Sequence, residues 1–166
     1  MKKIAIMILA MAVGFGATAK QNRKTKKKKK EQPSSIVSVT MHRTACFGRC
    51  PDYTIEIDHN GNVTYTGIRF VDDSGVYTKN IGRAKAITFI NQLASYKVDT
   101  CREMYETRIP DLPGINYEIK YTNKVQKIIT ANGGPAYLSE MATAMDDVGK
   151  KNDDKAWKKV EPAKKK

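Results

Sequence analysis

Two cysteines four positions apart lie in the run His42-Arg43-Thr44-Ala45-Cys46-Phe47-Gly48-Arg49-Cys50-Pro51-Asp52-Tyr53. Sulfurs at this spacing can close a disulfide, exchange electrons as a dithiol, or hold a soft metal. In an exported chain neighbouring cysteines are normally oxidised. The ring from Cys46 to Cys50 spans five residues, for which chain entropy gives roughly 2 kcal/mol, so a bridge there shapes a loop more than it holds up a domain. Gly48 is expected to relieve the tight turn, and Pro51 restricts Cys50 to extended geometry. Electron exchange needs an exposed thiolate of low pKa beside a cation or a helix N-terminus, and Arg43 or Arg49 would be the cation. Its usual scaffold, however, is βαβ with Cys-x-x-Cys, whereas this pair is Cys-x-x-x-Cys between extended segments. A metal reading takes His42, Cys46 and Cys50, with His59 near in sequence, as ligands for Cu(I) or Zn(II). That spacing would align them on a helix, which Gly48 and Pro51 oppose. The residues therefore favour a structural disulfide between Cys46 and Cys50, with thiol-redox or copper/zinc handling as the alternative. No metal site or cofactor is assigned.

Other chemistry is sparse. There are two histidines, and His59 falls in a hairpin turn; no nucleophile elbow, phosphate loop or zinc-protease motif occurs. The acid pairs Asp72-Asp73, Asp146-Asp147 and Asp153-Asp154 read as solvated turns or helix ends, without the alternating oxygen ligands of a calcium loop. Cys101 is unpaired by arithmetic and reads either as a small buried hydrophobe or as a thiol available for intermolecular pairing. No catalytic residue is assigned and the chain reads as a non-enzyme. A candidate binding surface consists of Arg43, Phe47, Arg49, Tyr53 and Tyr65, grouped around the cysteine loop.

The elements that must position this loop follow from hydrophobic period. Val37, Val39 and Met41 alternate on one strand and Tyr53, Ile55 and Ile57 on a second, followed by the hairpin signal Asn60-Gly61. In a third strand Val63 and Tyr65 hold odd positions but Ile68 and Phe70 even ones, which predicts a bulge at Gly67. Asp72 to Gly75 is a turn and 76–81 a fourth strand. Ile87, Ile90 and Leu93 set a helix over 82–96, and 99–106 is a short irregular or helical piece. Strands follow over 115–121 and 125–130, then a helix after Pro135 with Leu138, Met141, Met145 and Val148 on one face. The expectation is an α+β domain, an antiparallel sheet in ββββαββα order with two helices packed on one face.

The chain has 166 residues and a formal charge of +13, but the charge is not in the domain. Residues 20–30 hold eight Lys/Arg and 150–166 hold eight Lys, leaving 12 basic against 14 acidic residues in 31–149. Without a basic face on the core, no nucleic-acid partner is expected. Met1-Lys2-Lys3, the apolar run 4–16 and Ala17-Thr18-Ala19 form a secretory signal with cleavage before Lys20. The apolar run covers roughly 20 Å as a helix, short of the ~30 Å hydrocarbon core. The cations that follow it resist translocation, which weighs against export. No cysteine stands at the cleavage point to carry a lipid anchor. The predicted organisation is a signal peptide over 1–19, a disordered basic arm over 20–34, one domain over 35–149 and a basic C-terminal tail over 150–166. The lysine-rich segments read as solvated tethers, with attachment to an anionic envelope surface, each cation contributing about 1 kcal/mol near charged lipid, as the alternative; a protein partner is the other expectation.

At the cysteine loop the chain resembles an uncharacterised family of exported bacterial proteins, many of them lipoproteins, known as domain of unknown function 6438. The resemblance rests on Cys46-Phe47-Gly48-Arg49-Cys50-Pro51-Asp52-Tyr53 followed by Gly61, Val63, Tyr65 and Gly67, and continues through Pro113, Pro135, Leu138 and Trp157. It implies an intact domain over roughly 36–157 and an exported setting, and brings no activity or site residues. The sequence reading is thus an exported, periplasmic or secreted protein, a non-enzymatic binding or interaction module with a disulfide-stiffened loop.

Overall fold

The computed structural model describes residues 35–96, 98–109, 111–150 and 156–161. The expected signal segment and basic arm, and most of the lysines of the C-terminal segment, lie outside the described residues.

Eight strands form one sheet: β1 (Ile36–Arg43), β2 (Asp52–Asp58), β3 (Asn62–Arg69), β4 (Gly75–Asn80), β5 (Met104–Tyr105), β6 (Ile115–Tyr121), β7 (Gln126–Ala131) and β8 (Lys158–Val160). Their order is β5-β7-β6-β1-β2-β3-β4-β8. The hairpins β2–β3 and β6–β7 close as the turn residues demand: Asp58 Oδ1 accepts the amides of Asn60 and Asn62, and Gly61 takes the positive φ of 94° that an L side chain resists. The long loop between β1 and β2 leaves those strands antiparallel, with Met41 opposite Ile55 and Arg43 opposite Tyr53.

Two features correct the expected purely antiparallel ββββαββα sheet. The segment read as irregular contains a 3-10 turn, Val98–Thr100, and then β5, which runs parallel to β7. The basic C-terminal segment is not wholly a tail: β8 pairs antiparallel with β4, and Trp157 is only 8% exposed. A ring that size can offset the ordering of the few residues around it.

The core faces one side of the sheet. Val39, Met41, Ile55, Ile57, Val63, Tyr117, Ile119 and Ile129 join the buried stripes of α1 (Arg83–Ser95) and α2 (Ala136–Gly149) in one cluster. On the intervening positions Thr40, Glu56, Thr64 and Glu118 carry the polar side. Val37 does not share the buried side as expected. A register shift between Ile36 and Ser38 puts Ile36 into the core instead. In α1 the stripe is Ala86, Ile90 and Leu93, and in α2 Leu138, Met141, Ala142, Met145 and Gly149. α2 is tied to the sheet twice. The Tyr117 hydroxyl donates to the Leu138 carbonyl at 2.6 Å, and Gly149 brings the helix end so close to β2 that an added Cβ would stand 2.3 Å from Ile55 Cδ1.

Candidate functional site

The loop between β1 and β2 is closed on itself. Cys46 and Cys50 stand at disulfide-bonding distance with Cα atoms 5.5 Å apart, within the range a bridge requires. The Gly48 amide points back to Cys46 Sγ at 3.3 Å. Gly48 itself is not forced by the turn as expected: its φ is not positive, and a Cβ there would meet only Cys46 Sγ at 3.8 Å. The loop base is pinned to the start of β6 by two hydrogen bonds, Thr44 N to Gly114 O at 3.0 Å and Gly114 N to Thr44 Oγ1 at 2.8 Å. Phe47 projects from the closed ring and is 91% exposed.

Beneath this loop the end of β1, the start of β2 and the last turns of α2 meet at one carboxylate. Asp146 accepts Nε of Arg43 at 3.1 Å and the hydroxyl of Tyr53 at 2.6 Å. Arg43 approaches it through a second nitrogen as well, giving the forked geometry that makes such pairs directional. The sequence reading of Asp146-Asp147 as a solvated helix end holds for Asp147, which meets Lys150, and fails for Asp146. Asp146 follows Ala142 by four residues and so flanks the buried stripe. A carboxylate at that edge needs a partner, and that was the signal available.

The electrostatics follow from this meeting point. Burial works against the Arg43 charge, but the bonds and field of Asp146 outweigh it and the guanidinium is held above its ordinary pKa. Tyr53 is pushed well above the usual phenol range, first by burial and then by the carboxylate that accepts its proton's hydrogen bond; Arg43 offsets part of this. Tyr53 is therefore a fixed neutral donor at physiological pH.

An open cavity of about 590 Å³ lies on one flank of Tyr53, lined by Pro51, Tyr53, Tyr65, Phe70, Asp72 and Lys150 among others. A second, of about 380 Å³, lies on its other flank between Cys50, Pro51 and Gly114. The floor of the larger cavity is aromatic: the Tyr53 and Tyr65 rings are 5.7 Å apart, and Tyr65 continues to Tyr77 and Trp157, each at 6.4 Å. Trp157 in turn donates its Nε1 hydrogen to the Lys150 carbonyl and carries Lys79 Nζ 4.3 Å over its ring. Burial raises the Tyr65 pKa, with Asp73 and Asp72 adding to it.

The far wall of that cavity comes from the β3–β4 connection. The expected bulge is present one position on: Tyr53 faces Gly67 and Asp52 faces Arg69, so Ile68 is the extra residue. Its effect differs from the expectation, because Ile68 and Phe70 are turned outward, Phe70 at φ 55°. Gly67 is required by close approach, since a Cβ there would stand 2.0 Å from the Asp73 carbonyl oxygen.

Of the five residues assigned from sequence to a binding surface, Arg43 and Tyr53 meet at Asp146 and Tyr65 shares the larger cavity with Tyr53. Arg49 and Phe47 are outside it on the loop, with the Arg49 guanidinium 5.8 Å from the Phe70 ring centre. The metal-handling set is not assembled. His42 Nε2 is 2.9 Å from Asp52 Oδ1, His59 is bonded to the Val37 carbonyl at the opposite end of β2, and among the described residues no group of three potential ligands converges. Cys101 is buried with its sulfur 3.2 Å from the Tyr137 hydroxyl. Asp146, Phe70, Asp72 and Lys150 are the site residues that the sequence reading missed.

No curated protein and no solved structure matches this chain. Residues 37–149 match the family model for a domain of unknown function, DUF6438, and the chain, with its loop, its Asp146 tie and all of the cavity lining except Lys150 inside that span, belongs to that family.

Proposed function

We propose that this is an exported envelope protein that binds rather than catalyses, with the Cys46–Cys50 clasp holding the wall of a recognition cavity. The observation that carries the reading is the Tyr53 hydroxyl held by Asp146 while its ring lies against Tyr65. An aromatic floor fixed in advance lowers the ordering cost of binding, which is what a recognition site needs. The thiol-redox alternative is less well supported. Arg43 is committed to Asp146 and Arg49 lies over Phe70, so the cations that would lower a thiol pKa have other partners. The setting is a loop between two strands, without a helix N-terminus. Lysine-rich segments at 20–30 and 150–166 would add attraction to an anionic envelope surface.

Two readouts on the same protein test the proposal. Titration with phenol and with N-acetylglucosamine as probes should shift the amide resonances of Tyr53, Tyr65 and residues 70–73 ahead of the rest of the domain. Added to an insulin-reduction assay, the protein should not accelerate the reaction beyond the dithiol reductant alone. Catalysed reduction that is lost in Cys46→Ser would replace the binding reading with the redox one.

A further inference from the structure

The larger cavity beside Tyr53 is lined by three carboxylates, Asp72, Asp73 and Asp146, and by one cation, Lys150. Two of these four charges are satisfied within the fold: Asp146 holds Arg43 and Tyr53, and the Lys150 ammonium meets Asp147. The acids of the β3–β4 connection therefore leave the cavity with net negative charge beside its rings. Asp72 is exposed and has no hydrogen bond or ion pair among the described residues. Both acids stand close enough to Tyr65 to act on its phenol, since after burial the fields of Asp73 and Asp72 are what raise its pKa.

The other rings of the same row already carry cations. Lys79 Nζ lies 4.3 Å from the centre of Trp157 and Lys159 Nζ 5.7 Å from that of Tyr77. Phe70 is flanked by Arg49 at 5.8 Å and Arg69 at 5.5 Å. These are the distances, within about 6 Å, at which a positive charge is drawn to the negative face of a ring. Tyr65, at the centre of the row, has no cation over it among the described residues. The guanidiniums at Phe70 do not fill that place, because neither lines the cavity and Arg69 is paired with Asp52.

We propose that this cavity takes an alkylammonium group, the end of a lysine side chain or a free primary amine, with the charged nitrogen between Asp72 and the Tyr65 ring and the alkyl stem along Phe70 and Val71. A primary ammonium has three hydrogens to donate, which an accepting carboxylate uses and a quaternary nitrogen lacks. Its stem is covered by the apolar part of the wall while the charge stays at the open, acidic side. The proposal rests on the reading of this cavity as a recognition site and names the chemistry recognised there.

The test is a titration of the full chain near neutral pH and at low salt, followed by amide resonances, with n-butylammonium and with n-butanol, a neutral probe of the same shape. Butylammonium should shift the amides of Tyr53, Tyr65 and residues 70–73 and bind about tenfold more tightly than butanol. Asp72→Asn, an exposed change that should melt with the wild type, should weaken butylammonium about threefold and narrow its preference over butanol. Nα-acetyl-lysine methylamide separates the two sources: binding at least as tight as that of butylammonium assigns the group to a protein lysine, and weaker binding assigns it to a free amine. Butanol binding as tightly as butylammonium overturns the proposal, as does an unchanged butylammonium affinity in Asp72→Asn. When phenol moves the cavity resonances and butylammonium does not, this proposal falls and the recognition reading stands; when no probe moves them, both fall.

Discussion

The Tyr53 hydroxyl donates to the Asp146 carboxylate at 2.6 Å across 93 positions of sequence. That bond, with the Arg43 fork on the same carboxylate, joins the helix end to the two strand ends that hold the cysteine loop. It makes the cavity wall a product of tertiary packing.

Asp146→Ala should therefore destabilise the domain by about 1–2 kcal/mol, since it strips a half-buried guanidinium and a phenol of their shared acceptor. Asp146→Asn should cost less, because its carbonyl can still accept from Tyr53. Tyr53→Phe should cost about 1 kcal/mol and leave the ring in place. Chemical denaturation of the three variants ranks them, and an Asp146→Ala protein as stable as wild type would show that the tie is idle.

The raised Tyr53 pKa has a pH signature. A phenol whose folded pKa lies above its unfolded value of about 10 contributes stability that is fully present below about pH 10 and lost as pH rises toward the folded value, because there the unfolded chain has released the proton first. Tyr117, Tyr121 and Tyr137 are shifted in the same direction, so the melting temperature should fall through the alkaline range with several contributors. Tyr53→Phe should make that fall shallower without changing the profile near neutrality, as a melting series in alkaline buffers would read.

Cys46→Ser with Cys50→Ser should lower stability by roughly 2 kcal/mol and not unfold the protein. The loop base keeps its two bonds to Gly114. Amide exchange should speed up within residues 45–51 and stay unchanged in β1 and β2.

The glycines of the site should divide sharply. Gly67→Ala places a methyl against a backbone carbonyl and should cost about 1–3 kcal/mol while displacing the β3–β4 connection. Gly48→Ala meets only a sulfur at contact distance and should melt with wild type.

Trp157→Ala should cost about 3 kcal/mol, as removal of a large buried ring does. It also uncovers Tyr65, so amide resonances around the larger cavity should move. A chain ended after Gly149 should show the same changes and lose β8 from the edge of β4.

The long elements were legible because period and burial agree in them. Helix α1 spans Arg83–Ser95 against an expected 82–96, and β6 spans Ile115–Tyr121 as the alternation required. β5 and β8 were not, since two or three residues hold no period and β8 is exposed along its length; Trp157 was the one cue, because an isolated indole in a lysine run has to be buried somewhere. At the site, Tyr53 and Tyr65 could be placed together because two positions across a tight hairpin share a face. Asp146 and Phe70 could not. The first acquires its role from a helix docked some ninety residues downstream of the tyrosine it holds, and the second from a bulge whose outward turn only the packed loop decides.

Intact-mass measurement of the native protein, denatured and alkylated without reduction, tests the central claim most directly, because one spectrum reports both export and the clasp. A chain beginning at Lys20 with a single alkyl group, on Cys101, is the predicted result. A chain beginning at Met1 with alkyl groups on Cys46, Cys50 and Cys101 would contradict the account.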